Sequence, residues 1–191
     1  MLAVIGRKLQ GRKRALCSRI LRRFGRREDG AAAVEFAMVA APFFAVLFAI
    51  METAMVFFAG QTLETAAADS SRLIFTGEAQ QSGFSQQAFK EAVCGKVFGI
   101  FDCANKMTVD VQKYTSFSAA DFTRPVGTDG KVKPGGWYPG GPCDIVVVRL
   151  IYEFPVYVSL LGFDLHDMNG NKRLLVATSV FRNEPYSGTC S

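Results

Sequence analysis

The stretch AAAVEFAMVAAPFFAVLFAIMETAMVFFAG, residues 31–60, decides the architecture of this 191-residue chain. Between Glu35 and Glu52 it has sixteen residues without a charge, which is about 24 Å of helix. Residues 53–60 bring the stretch to the length that a bilayer requires. Because residues 36–51 are apolar on every face, a transmembrane helix is favoured over the buried helix of a soluble core. Pro42 is compatible with this interpretation, since membrane helices tolerate proline.

Charge is distributed unevenly on the two sides of this segment. Residues 1–30 contain ten Lys and Arg and two acidic residues, a net charge of +8. Residues 31–191 contain twelve Lys and Arg and fifteen acidic residues, a net charge of −3. Basic residues that flank a membrane helix stay in the cytoplasm. We therefore expect a basic cytoplasmic leader at residues 1–30, a transmembrane helix at residues 31–60 and an extracytoplasmic domain at residues 61–191. A basic tail beside an apolar helix indicates topology, so no nucleic acid partner is expected.

A cleaved secretory signal is the main alternative for the apolar segment. Signal peptidase needs small residues after the apolar run, and the three alanines at residues 31–33 precede it. Cleavage behind Ala59 would place Phe57 at the third position back, and cleavage behind Ala54 would place Glu52 there. Neither residue is small and neutral. The sequence therefore predicts that the segment is retained as a membrane anchor.

The periodicity of the chain changes after the apolar segment. Residues 61–80 are a polar, alanine-rich continuation of the helix, and residues 85–98 carry apolar side chains on one helical face. Three β-rich runs follow, at residues 107–114, 144–154 and 174–181. Residues 118–142 are rich in turn residues and predict a loop. Helices followed by strands predict an α+β fold, with a long N-terminal transmembrane helix and a small extracytoplasmic domain that contains helices and an antiparallel sheet.

The five cysteines divide between the two sides of the membrane. Cys17 lies in the basic leader, where a reduced thiol is expected. The other four lie on the outer side: Cys94, Cys103, Cys143 and Cys190. An even number in an oxidising compartment predicts two disulfides with three connectivities open. The pairing that we expect is Cys94–Cys103 and Cys143–Cys190. Zinc is not expected, because no C-x-x-C spacing occurs and the one histidine is distant from every cysteine.

Sequence motifs for catalysis or cofactor binding are absent. The chain has one histidine, His166, and contains no G-x-S-x-G, Walker loop or H-E-x-x-H. Residues 164–171 resemble a calcium loop, but registration on Gly170 places Leu165 and Val176 at ligand positions, so a polar turn is the better interpretation. Trp137, in the glycine-rich loop, has two interpretations: a contact for a carbohydrate or a protein, or a residue that covers the edge of the core. The second is the more common role of such residues. We expect no enzyme activity, no cofactor and no metal.

Glu35 is an unexpected residue at the start of an apolar helix. A carboxylate in hydrocarbon costs several kcal/mol, roughly 2.5–3.5 on insertion scales, so a cationic partner is expected. If the chain were cut between Gly30 and Ala31, Glu35 would be the fifth residue of the mature protein. The free α-amine of Ala31 would then neutralise a carboxylate in the same chain or in a neighbour. A carboxylate that snorkels into the cytoplasmic headgroups is the alternative.

The residues around Glu35 carry a family resemblance. The stretch RREDGAAAVEFAMV at residues 26–39, followed by Pro42 and then Glu52, resembles the start of the TadE/TadG-like pilus assembly proteins. QTLETAAADSSR at residues 61–72 is similar to the family's continuation beyond the membrane. A short leader, a glycine and a glutamate at the fifth position also form the type IV prepilin pattern.

The resemblance implies a structural, pseudopilin-like component of a tight-adherence (Tad/Flp) pilus assembly and secretion machine. It implies a single-pass protein of the bacterial inner membrane, with a cytoplasmic N-terminus and a periplasmic C-terminal domain. The implied partners are other pilin-like subunits, pilus assembly proteins and a prepilin peptidase that cuts between Gly30 and Ala31. Glu35 and Glu52 would be the intramembrane carboxylates. A signal-anchored extracytoplasmic binding module unrelated to pili is the alternative function.

Overall fold

The computed structural model describes residues 30–97, 99, 101–157, 165–186 and 190. The expectations for the leader and for Cys17 lie outside these residues. The chain divides into one compact unit that ends at Phe48 and a second unit formed by Ala49–Ser191. A single helix, α1 (Ala31–Phe75), enters both units and contains Pro42. It is long and apolar enough to cross a membrane, and no residue of its most apolar stretch is buried.

The sheet of the second unit has three antiparallel strands. They are β1 (Met107–Tyr114), β2 (Ile145–Pro155) and β3 (Lys172–Arg182), in the order β1-β2-β3. Met107 pairs with Tyr152 in the first ladder, and Ile145 pairs with Arg182 in the second. The three predicted strands are confirmed within two residues at each end. The predicted α+β class with an antiparallel sheet is also confirmed.

One apolar cluster joins this sheet to the helices. Alternate strand residues face the cluster because successive side chains of a strand point to opposite faces. The strands contribute Val109, Val111, Val146, Val148, Leu150, Tyr152, Leu175 and Ala177. The short helix α3 (Gln86–Cys94) contributes Phe89 and Val93. The buried face of α1 is made mostly of small residues, Ala59, Ala66, Ala67, Ser70 and Ser71, so its backbone can approach its neighbours closely.

The helices end earlier than the sequence predicts. The polar continuation expected to residue 80 stops at Phe75, because Gly77 adopts a left-handed conformation with φ 80°, the usual helix C-terminal signal. A Cβ at this glycine would lie 2.3 Å from ring atoms of Tyr186. A short helix, α2 (Glu78–Gln81), follows. The helix expected at residues 85–98 is α3, with Ser85 as its N-cap, accepting from the Ala88 N–H.

The long loop after β1 covers the outer edge of that strand. Val111 donates its N–H to Gly136 O at 2.9 Å and accepts the N–H of Tyr138 at 2.9 Å. Gly135 is required at this contact, because a Cβ there would lie 2.0 Å from Val109 O. The indole N–H of Trp137 donates to Phe84 O at 2.9 Å. Trp137 therefore covers a core edge. The loop also contains a 3₁₀ turn, Phe117–Ala119, and one more helical turn, α4 (Cys103–Lys106), precedes β1.

Candidate functional site

The start of α1 holds the residues that the sequence singled out for processing. Gly30 is the first described residue, and Ala31 begins the helix. A Cβ placed on Gly30 meets no atom within 4 Å. Neither packing nor a left-handed backbone within the described chain therefore requires glycine at this position.

Glu35 lies one turn further along α1, on an exposed apolar surface. Its neighbours Val34, Phe36 and Met38 are all more than half exposed. Within residues 30–97 and the other described segments, no ion pair or hydrogen bond of the Glu35 side chain is present. The Glu35 carboxylate is therefore exposed on the surface of the helix.

Glu52 has a different environment from Glu35. It belongs to the second unit, and only 7% of its surface is exposed. Its Oε1 accepts the backbone N–H of Tyr157, two residues beyond the end of β2. The sequence grouped both residues as intramembrane carboxylates and did not predict this contact. A loop residue 105 positions away in sequence is its partner, and helical periodicity alone carries no signal of it.

The structure contains the two disulfides that the sequence analysis expected. Cys94, the last residue of α3, pairs with Cys103, with their Cα atoms 5.7 Å apart. Cys143 precedes β2 and pairs with Cys190 near the C-terminus, with their Cα atoms 5.5 Å apart. Cys143 has φ 66°, a conformation that non-glycine residues rarely adopt. Its disulfide and its N–H bond to Asn183 O hold it there. The first disulfide ties α3 to the turn before β1, and the second ties β2 to the C-terminal residues.

Asp144 adjoins the second disulfide and carries a shifted pKa. Its burial raises the pKa, but the Lys113 ammonium at 2.8 Å and the Gly141 N–H at 2.7 Å more than offset that effect. The net result is a pKa below the usual aspartate value. This carboxylate therefore contributes to the structure as an anion, joining β1 to the start of β2.

The polar turn before β3 does not form a calcium loop in the described residues. Asp167 pairs with Arg124 at 3.0 Å and accepts the N–H of Leu174, so its carboxylate is occupied by protein groups. Asp164 lies outside the described residues. No group of three or more His, Cys, Asp or Glu that could hold a metal occurs in the described part of the chain.

The described fold defines a class: an α+β protein with one apolar helix near its N-terminus that suggests a single-pass membrane anchor. A family model described as TadE-like protein matches residues 30–72. These residues are nearly the whole of α1, and the match confirms the resemblance to the TadE-like pilus assembly proteins. The matched segment covers 43 of the 191 residues and links this part of the chain to Tad pilus assembly. The TadE-like family is structural and is not known as enzymatic. No match to a curated protein or to a solved structure was found.

Proposed function

We propose that this chain is a pseudopilin-like structural component of a Tad/Flp pilus assembly machine. The observation that carries the proposal is the position of Glu35. It lies on an exposed apolar helix, five residues after Gly30, at the start of the segment that the TadE-like model matches. A subunit of this kind acts by packing its helix against other pilin-like subunits and assembly proteins, not by catalysis.

The proposed location is the bacterial inner membrane, with residues 1–30 in the cytoplasm and the C-terminal domain in the periplasm. The +8 charge of the leader supports this orientation. The two disulfides support it independently, since such bonds persist in the periplasm and are rare in the cytoplasm.

The proposed processing site is the Gly30–Ala31 bond. Because none of the residues that the structure describes constrains the glycine at position 30 by packing, a peptidase that accepts no side chain before the cut is a sufficient reason for it. Cleavage would create a free α-amine on Ala31, four residues before Glu35. That amine would neutralise the carboxylate of a neighbouring subunit and set the register between adjacent helices, because an isolated charge in hydrocarbon is costly.

The N-terminal residue of the membrane-extracted protein tests the processing step. We expect Ala31 in the wild-type chain and Met1 in Gly30→Leu, because a leucine side chain would block the cut. Gly60→Leu is the matched control: this glycine lies in the same helix, and a Cβ there also meets no atom within 4 Å. It should leave processing intact. A wild-type chain that retains Met1 would refute the cleavage, and the nearest cations in sequence to Glu35 would then be Arg26 and Arg27.

Co-purification with partner subunits tests the role of Glu35. Glu35→Gln should keep the protein in the membrane, since removal of a charge eases insertion, while reducing the amount of partner subunit recovered. Glu64→Gln is the matched control, because Glu64 is exposed on the same helix beyond the apolar stretch. It should not alter recovery. Equal recovery from both variants would contradict an assembly role for Glu35.

A further inference from the structure

The exposed face of α1 changes from apolar to polar at a single level, Gly60. Between Met51 and this glycine the exposed large side chains are all apolar: Met51, Met55, Phe57 and Phe58. The exposed larger residues after it in the helix are nearly all polar: Gln61, Glu64, Thr65, Asp69 and Arg72. A change this abrupt on one continuous helix indicates that the surroundings of the helix change at the same level.

The opposite face of the same stretch is already covered by protein. Glu52, Val56 and Ala59 are buried in the second unit. The helix between Met51 and Gly60 therefore packs against its own folded unit on one side and exposes aromatic and methionine side chains on the other. Contiguous exposed apolar surface of this kind requires a partner.

Helix length favours lipid as that partner. Beyond Glu35, the exposed apolar surface extends from Phe36 to Phe58. At 1.5 Å per residue this is about 33 Å, close to the roughly 30 Å of a bilayer's hydrocarbon core. A span that ended at Phe48, before the folded unit begins, would cover only about 18 Å. The apolar face between Met51 and Phe58 is therefore needed to complete the span.

Tyr157 lies beside the part of this span that contains Glu52. Its backbone N–H donates to Glu52, and Glu52 precedes Phe58 by six residues, about 9 Å along the helix axis. The Tyr157 side chain is 79% exposed. An exposed tyrosine is typical of the bilayer interface, where its ring contacts lipid and its hydroxyl reaches water or headgroups.

We propose that the base of the folded unit is embedded in the lipid leaflet on its own side of the membrane, down to the level of Glu52 and Tyr157. The exposed face from Met51 to Phe58 and the Tyr157 ring then contact lipid. Glu52 accepts the backbone N–H of Tyr157 at a depth where no water is available to accept it. This matters because an unsatisfied backbone group in hydrocarbon costs several kcal/mol.

Tryptophan variants of the full chain test this in vesicles of phosphatidylcholine, with and without bromine on the acyl chains. The inference rests on the membrane anchor of the proposed function and not on its role in a pilus. Trp137 is the one tryptophan of the wild-type chain, and its emission there is the baseline. Each variant retains Trp137, whose emission reports whether the variant is folded. Phe58→Trp and Tyr157→Trp probe the base, with Phe57→Trp as the substitute if either fails to fold. Phe44→Trp probes the anchor itself, and Glu64→Trp probes the polar side of Gly60.

Brominated lipid should abolish most of the added emission of Phe44→Trp, Phe58→Trp and Tyr157→Trp, and should leave that of Glu64→Trp unchanged. Quenching of Phe44→Trp alone would overturn the embedded base and leave the anchor standing. A blue-shifted but unquenched Tyr157→Trp would mean that protein covers this residue, which also overturns the inference. An unquenched Phe44→Trp would refute the anchor and the inference together. Quenching of Glu64→Trp would refute Gly60 as the boundary.

Discussion

A buried ion pair, Asp110 with Arg149, fastens the long loop to the outer face of the sheet. The two residues are directly opposite each other in the β1–β2 ladder, and their side chains are only 7% and 12% exposed. Arg149 donates through Nε and Nη2 to Asp110 Oδ2, at 2.9 and 2.6 Å. The other oxygen, Oδ1, accepts the Gly136 N–H at 2.9 Å and the Gln112 amide at 2.8 Å. We predict that Asp110→Ala destabilises the folded unit strongly.

The expected magnitude follows from what the substitution leaves behind. Among the described residues, Arg149 would keep two long contacts, to Asp121 O at 3.3 Å and Thr123 O at 3.5 Å. Removing one partner of a buried pair costs about 3–5 kcal/mol, because the other charge remains desolvated. This is a large part of the 5–15 kcal/mol, roughly, that stabilises a typical domain. Asp110→Asn should cost less, since the amide oxygen can still accept the Gly136 N–H.

Denaturant unfolding of the full chain in detergent, followed by Trp137 emission, measures this loss. Trp137 is a suitable probe because it directly follows Gly136 in the loop. Lys113→Ala is the control: it breaks the pair with Asp144, whose side chains are 51% and 27% exposed, and should cost about 0–1 kcal/mol. The double variant Asp110→Ala with Arg149→Met should recover part of the loss, since no charge stays buried. If Asp110→Ala costs no more than Lys113→Ala, the ion pair does not hold the loop.

Two further predictions concern the same folded unit. Replacing Cys143 and Cys190 by serine should lower the free energy of unfolding by about 4 kcal/mol, and replacing Cys94 and Cys103 by about 2.6 kcal/mol. The losses differ because the two disulfides close loops of different length, with sequence separations of 47 and 9. Equal losses in the same unfolding assay would contradict this entropic ordering. Because the pKa of Asp144 is lowered in the fold, its charge contributes stability that is present above the unfolded pKa, near 3.8, and is lost as pH falls through the folded pKa. Unfolding midpoints measured from pH 6 to pH 2.5 should therefore fall less steeply below about pH 4 for Asp144→Asn than for wild type, and identical slopes would argue against the shift.

The sheet was predictable from sequence because its signal is local. Alternation at residues 107–114 and the long β-rich run before Pro155 each identify a strand without reference to the rest of the chain. Helix ends were less predictable. Gly77 stops α1 in the left-handed conformation, yet the polar residues on both sides of it are compatible with a continuing helix. Tyr186, which lies near the carboxyl terminus and packs over that glycine, gives no sign of this contact in the sequence.

The long-range polar contacts were not predictable, because they depend on strand register. Asp110 and Arg149 are charged residues whose immediate neighbours in their strands are apolar, a signal that each has a partner. Which partner each takes follows only from the antiparallel register that places them opposite one another. The same limit applies to Gly135. A glycine in a turn-rich loop predicts a turn, whereas the structure places it where the backbone of β1 leaves no room for a side chain.

The two glutamates of α1 show how the same residue type in the same kind of sequence acquires different roles. Each interrupts an apolar run, so the sequence assigned both to the membrane. Glu52 is buried and accepts an N–H of its own chain, which offsets part of the cost of burying a carboxylate. Glu35 is exposed, and its side chain bonds to none of the residues that the structure describes. The stabilisation of Glu52 therefore includes an intramolecular hydrogen bond, whereas Glu35 is the carboxylate to which the proposed function assigns a contact with a neighbouring subunit.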